Sequence, residues 1–179
     1  MATIRHTSWW DSFAGVDPGV VGAGDLVVTS VAAAAVIDLR RAVLRNGRTD
    51  LSAALDIDDH DETLHLAAFD RRTGLAGAAL ACLTLVPHPW AERPDDVRVR
   101  LALMAVDPTQ QGGGVGSHLL GVAKRAAAHA GTGIWAFARV TALGFYERQG
   151  FGLIGDPYVG AMGLPHQNVL WLPPPRSVA

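Results

Sequence analysis

A single cysteine, Cys82, stands among 179 residues, so no internal disulfide can form and the small stapled scaffolds of secreted proteins are excluded. Cys82 lies in the apolar run LAGAALACLTL with no basic neighbour to activate it, which reads as a small core residue rather than a nucleophile. Runs of Lys or Arg are also missing. Fifteen basic residues face 17 acidic ones, the net charge is -2 and the pI is about 6.4. A surface that neutralises nucleic-acid phosphates would leave a basic footprint, and none is present. The longest apolar run, LVVTSVAAAAVI from Leu26 to Ile37, falls short of the roughly 20 residues a bilayer demands. It also carries neither a basic flank nor a cleavage pattern. These absences lead to the expectation of a cytoplasmic protein whose partners include neither nucleic acid nor membrane.

What is present is ordinary globular composition, 49% hydrophobic and 18% charged, which argues against wholesale disorder. A chain of this length is expected to form one domain over residues 1–179. Its first 24 residues, with SWWDSF and GVDPGVVGAG, have no period and many turn formers. They read as an arm that docks through aromatics, with Trp9, Trp10 and Phe13 as alternatives for a subunit contact. Ala32 to Asn46 carries Val36, Leu39, Val43 and Leu44 at helical spacing, with Gly47 as the C-cap. Leu64 to Phe69 and Leu75 to Leu85 read as a hairpin about the turn Asp70–Gly74. The loop VPHPWAERPDD is Pro-rich and polar, and Val97 to Val106 is a strand ended by Asp107-Pro108. Gly114 to Ala130 is an Ala-rich helix whose face is Val115, Leu119, Val122, Ala123 and Ala126. Ile134 to Ala138 is a strand, Thr141 to Arg148 a helix capped by Gly150, and strands begin at Phe151 and cover Asn168 to Leu172. Residues 173–179 form a loose tail. The class is α/β (α+β), one layer of sheet with helices on its faces.

The most unusual stretch is QQGGGVGSHLL, Gln110 to Leu120, with four glycines in five positions between a strand and a helix. Free backbone N–H groups at the positive end of a helix dipole suit a phosphate. G-x-x-x-x-G-K-[ST] is absent because no Lys follows the glycines, and G-x-G-x-x-G from Gly112 places Ser117 where its last Gly belongs. Neither a nucleoside-triphosphate loop nor a dinucleotide loop fits.

The spacing Gln111-x-x-Gly114-x-Gly116 instead resembles the pyrophosphate loop of the GNAT superfamily of N-acetyltransferases, Q/R-x-x-G-x-G/A. About thirty residues on, ARVTALGFYERQGF (Ala138 to Phe151) resembles the same superfamily's F-Y-E-[KR]-x-G-F signature. LMAVDPTQ is similar to its central strand, and GLPHQNVLW to the G-[IL]-P-H-x-x-M ending of one bacterial subset. The resemblance covers Leu64 to Leu172. Departures are Gln111 for the commoner Arg, Gly113 for a basic residue, Arg139 for Asn and Val169 for the final Met.

The resemblance implies a mixed, mostly antiparallel sheet with helices on both faces, and acetyl-CoA as cosubstrate. Its acetyl group would pass to the amine of a small molecule or peptide by direct attack in a ternary complex. Pyrophosphate would rest on Gln111, Gly112, Gly113, Gly114, Val115 and Gly116, aided by the Ser117 hydroxyl, with backbone rather than side-chain charge holding it. The backbone of Met104, Ala105 and Val106 would meet the pantetheine arm and the oxyanion. Tyr146 matches the family tyrosine that protonates the leaving thiolate, the alternative being a ring that only packs beside Phe145. His166 is a candidate base or acceptor contact, or an exposed loop histidine. Arg98 and Arg100 stand where other members carry a carboxylate; they contact an acidic group on the acceptor or are solvated. No metal is expected, since His60 and His65 are five apart rather than the four of H-E-x-x-H. His65 is expected in the core, and DIDDHDE (56–62) as a solvated loop. A non-catalytic acyl-CoA sensor is the competing function, and Trp9, Trp10 and Trp171 are candidates for a homodimer contact.

Overall fold

The structure is a computed structural model that describes residues 26–175, so the arm with Trp9, Trp10 and Phe13 lies outside the described residues. Seven strands form one sheet: β1 (Leu26–Val31), β2 (Leu64–Asp70), β3 (Ala81–Pro87), β4 (Val99–Val106), β5 (Ile134–Arg139), β6 (Gly152–Val159) and β7 (Pro165–Trp171). Their spatial order is β1-β2-β3-β4-β5-β7-β6. Every neighbouring pair is antiparallel except β4 and β5. Three α-helices pack on it: α1 (Ile37–Leu44), α2 (Val115–His129) and α3 (Leu143–Arg148).

Alternation of side chains across β2, β3 and β4 divides the core into two layers. Leu66, Leu83, Leu85, Val99 and Leu101 point to the face covered by α2 and α3, where Leu119, Leu120 and Ala123 meet them. Ala67, Phe69, Cys82 and Ala105 point to the opposite face, under Val36, Leu39 and Val43. The small residues Ala123, Ala126 and Ala127 are fully buried and bring α2 close to the sheet, while fully burying Leu119 and Leu120 stabilises by about 2 kcal/mol each. At the end of α1, Asn46 and Gly47 adopt φ values of 52° and 73°. The Gly47 N–H then donates to the Arg41 carbonyl, so the expected C-cap is in place.

Several expectations are corrected. β1 occupies the start of the run Leu26 to Ile37, which has no period from which to read a strand because apolar residues fill it. The second hairpin strand begins at Ala81, not Leu75. Leu75 is 65% exposed in a 3-10 turn, Gly74–Ala76, and the small residues after it bury too little surface to give alternation any force. β7 begins at Pro165, three residues before the expected Asn168. Trp171 is buried, only 8% exposed, beneath Lys124, whose ammonium sits 5.0 Å from the indole; it offers no surface to a second copy.

Candidate active site

β4 and β5 pair only through Val99 with Ile134, Arg100 with Trp135 and Leu101 with Ala136. The ladder stops there because β4 contains one residue too many. On its other side Cys82 faces Ala105 while Thr84 faces Ala102, so Leu103 and Met104 both stand opposite Leu83. Leu103 absorbs the bulge at φ 53°, a conformation costing a bulky residue on the order of 1–3 kcal/mol. The two strands diverge, and a cavity of about 320 Å³ opens at the gap. Its walls come from both faces of the sheet. α1 contributes Leu44, with Arg45 just beyond its end; the segment before β2 contributes Leu55 and Ile57; α3 contributes Tyr146; and β7 with the turn before it contributes Met162, Leu164 and His166.

Tyr146 is 6% exposed and packs edge-on between Phe145 and Phe151, at ring distances of 5.4 and 5.3 Å. Its hydroxyl reaches the Met104 sulfur at 4.0 Å, and burial pushes its pKa well above the ordinary phenol value. The side chain both packs beside Phe145 and lines the cavity. His166 lies directly across from Arg139 in the β5–β7 register. The distance from His166 Nδ1 to the Leu164 carbonyl is 2.8 Å. A carbonyl only accepts, so Nδ1 carries a proton, and in the neutral ring Nε2 is the acceptor. The Tyr158 ring stacks on the imidazole, and a Cβ at Gly160 would strike it at 2.5 Å, so that position admits no side chain.

The glycine loop lies at the far end of β4 and is not part of the cavity wall. Asp107 accepts from the Thr109 N–H at 2.8 Å and holds the turn after the strand. Gln111 turns its amide back to the Val106 carbonyl at 3.2 Å. Gly114 caps α2 at φ 84° with no side-chain hydrogen bond at the helix start, so the N–H groups of the first turn stay open. Gly116 packs so closely that a Cβ would meet Val106 at 2.9 Å. The Ser117 hydroxyl accepts from Gln149 at 3.0 Å. The side chains of Ala105 and Val115 are buried in the core, which leaves their backbone as the part that can meet a ligand.

The acidic stretch 56–62 is the expected solvated loop at Asp56, Asp59, His60 and Asp61, which are exposed, but not at Asp58, whose side chain is buried. Arg40, fully buried, donates from Nη1 to both Asp58 oxygens at 2.9 and 2.8 Å. From Nη2 it reaches His65 Nδ1 at 3.0 Å and the Thr84 hydroxyl. Asp58 also accepts the Leu55 N–H at 2.9 Å, which fixes the segment bearing Leu55 and Ile57 at the cavity rim. His65 is buried as expected. Nδ1 must accept from Arg40, and desolvation together with the Arg40 charge depresses its pKa.

The two arginines expected on one strand part company, because β4 begins only at Val99 and Arg98 lies just before it. Arg98 donates to the Ala130 carbonyl at 2.8 Å, whereas Arg100 is half-buried at the cavity with its guanidinium 5.9 Å from Trp135 and 5.6 Å from Phe137. Arg45, Phe137 and Arg139 also line the cavity and were not anticipated there. Among the described residues, no group of three or more His, Cys, Asp and Glu is placed to hold a metal ion, and no helix is long and apolar enough to cross a membrane.

A family model for the acetyltransferase (GNAT) domain matches residues 61–152. Solved structures share the fold. A Lactobacillus plantarum protein assigned as an N-acetyltransferase is 24% identical with a TM-score of 0.66, over 83% of this chain and 99% of that one. An acyl-CoA N-acyltransferase from Pseudomonas aeruginosa is 22% identical with a TM-score of 0.63, over 83% and 99%. An aminoglycoside 6'-N-acetyltransferase complexed with coenzyme A is 14% identical with a TM-score of 0.64, over 84% and 98%. No curated protein matches by sequence.

Proposed function

Since the chain belongs to the GNAT acetyltransferase family, we propose that it transfers the acetyl group of acetyl-CoA to the amine of a small molecule or peptide by direct attack in a ternary complex. One observation carries the reading: the β4–β5 ladder breaks after Leu101 and Ala136, and the gap joins Tyr146 and His166 in one cavity. We assign residues 1–179 to one domain acting in the cytoplasm.

Acetyl-CoA supplies a thioester carbonyl and a thiolate leaving group. Between Gln111 and Ser117 the Gly113 N–H is turned to the Gln110 carbonyl at 3.3 Å; the N–H groups of the first turn of α2, left open, hold the pyrophosphate. The backbone edge of β4 at Met104 to Val106, unpaired toward β5, pairs with the arm and donates to the oxyanion. His166 Nε2 accepts the proton that the attacking amine loses. Burial keeps Tyr146 protonated, so its O–H faces the sulfur as a donor; with a pKa raised far above a thiol's ordinary value, it stabilises the thiolate chiefly by hydrogen bonding. Tyr146→Phe is expected to lower kcat about 100-fold with acetyl-CoA affinity retained, measured by release of free CoA thiol and by calorimetry. An unchanged kcat would remove Tyr146 from the mechanism.

A non-catalytic acyl-CoA sensor is favoured by one feature, the lack of any carboxylate base among the described residues of the cavity wall. Acetyl-CoA binding with no thiol release across amino acids, polyamines, aminoglycosides and peptides would select it.

A further inference from the structure

On the reading that the cavity receives an amine, we propose that the acceptor is an α-amino acid with an apolar side chain whose carboxylate is bound by Arg100.

The charge of the cavity points there first. Arg45, Arg100, Arg139 and His166 line it, and among the described residues Asp and Glu contribute nothing to the wall. A polyamine or an aminoglycoside would bring cations against three guanidinium groups with no carboxylate to receive them. An anion is attracted by all three.

Arg100 is the cation with most to gain. Arg139 already donates to the Leu44 carbonyl at 3.0 Å, and Arg45 to the Ser52 carbonyl at 2.9 Å. The Arg100 side chain has no hydrogen bond or ion pair among the described residues, and its Nε is buried without a partner. The rings of Trp135 and Phe137 face the guanidinium, and, together with burial, its nearby charge depresses the pKa of His88. Half-buried and unpaired, it bears a desolvation cost that a ligand carboxylate offsets through paired N–H donors. Burial accordingly lowers its pKa from the ordinary guanidinium value.

Cofactor phosphates are the wrong anion for this site. Arg100 precedes Val106 by six residues, roughly 20 Å of strand at about 3.3 Å per residue, whereas the glycine loop begins beyond Val106. The register puts the acceptor elsewhere. Arg100 is opposite Trp135 and Arg139 is opposite His166, so Arg100 and His166 rise from the same face of the sheet, about four residues or 13 Å apart along β5. The two side chains with an amino acid between them fill that span, carboxylate toward Arg100 and amine toward His166. The remaining walls, including Leu44, Leu55, Ile57 and Leu164, are apolar. A volume of about 320 Å³ is at the small end for ligand sites and suits a single apolar amino acid.

The test uses matched pairs, phenylalanine, leucine, methionine and tryptophan each against its carboxamide, with spermidine as the polycation. Thiol release is measured with acetyl-CoA, and binding to the CoA-saturated protein by calorimetry. The free acids are expected to be preferred at least tenfold in kcat/KM. Arg100→Gln and Arg100→Met, the second keeping the stem over the two rings, are expected to raise KM for the acid by 10- to 100-fold more than for the amide, with Arg100→Lys recovering part of the loss. Equal or better turnover of the amides, or of spermidine, overturns the proposal while leaving acetyl transfer intact. Arg100-dependent binding of the acids without thiol release supports the carboxylate site and instead overturns the transferase reading. Acetyl-CoA binding with neither acid binding nor turnover overturns the proposal.

Discussion

At the scale of single residues, buried polar groups in this protein are defined by what they touch. His65 is an instance in which protonation state follows from one contact. Its Nδ1 accepts from a guanidinium that can only donate, and the folded protein therefore favours the neutral ring, with a pKa below the ordinary 6.5. The unfolded chain binds a proton at His65 near pH 6.5, while the folded chain resists it to lower pH. The unfolded state thus holds more protons below that point, and stability falls as pH drops through 6.5 toward the folded value. Urea midpoints at pH 7.5 and 5.5 are expected to show a smaller drop for His65→Gln than for the unmodified protein. An equal drop would mean that His65 is not the group responsible. Tyr146 was readable at this scale because the F-Y-E motif is contiguous. Arg100 was visible as a residue but not as a cavity wall, since alternation along β4 tells which residues share a face and not what that face meets.

At the scale of elements, the Arg40–Asp58 pair ties α1 to the 3-10 turn Asp56–Asp59 and to β2 and β3. Side chains at 1% and 4% exposure make this an ion pair out of water, and breaking one partner strands the other charge. Asp58→Ala is expected to destabilise by about 3–5 kcal/mol and to raise acceptor KM by releasing Leu55 and Ile57 from the rim. The double variant Arg40→Met/Asp58→Asn, which removes both charges, is expected to lose less; if it loses as much or more in urea denaturation, the pair is not what holds the segment. DIDDHDE looks solvated in sequence because acidic runs usually are, and the cation that buries Asp58 lies 18 residues away in α1. The bulge at Leu103 was equally hidden, because an extra residue is defined only against the partner strand. Helix α2, by contrast, was read nearly to its ends because its period and its glycine cap are local.

Across the whole molecule, two helical layers close over the central sheet, and Trp171 belongs to that closure. Its indole lies under Lys124, whose ammonium donates to the Gln149 carbonyl at 2.6 Å; Gln149 in turn holds Ser117 at the start of α2. One cluster thereby links β7, α2 and the end of α3. Trp171→Ala is expected to destabilise by about 3–5 kcal/mol in urea denaturation without changing the mass found by light scattering at fixed concentration. A change of mass with stability intact would return Trp171 to a subunit contact.

By itself the amino-acid sequence determined the family, the glycine loop, the long helix and the catalytic candidates Tyr146 and His166, because each rests on residues adjacent in the chain or on a short repeat. Tertiary structure alone decided the split between β4 and β5, the burial of Asp58 with Arg40, and the gathering of Arg45, Arg100 and Arg139 at one cavity. Those depend on pairing between strands and on charges brought together from distant segments, and neither register nor desolvation is a property of any single stretch of chain.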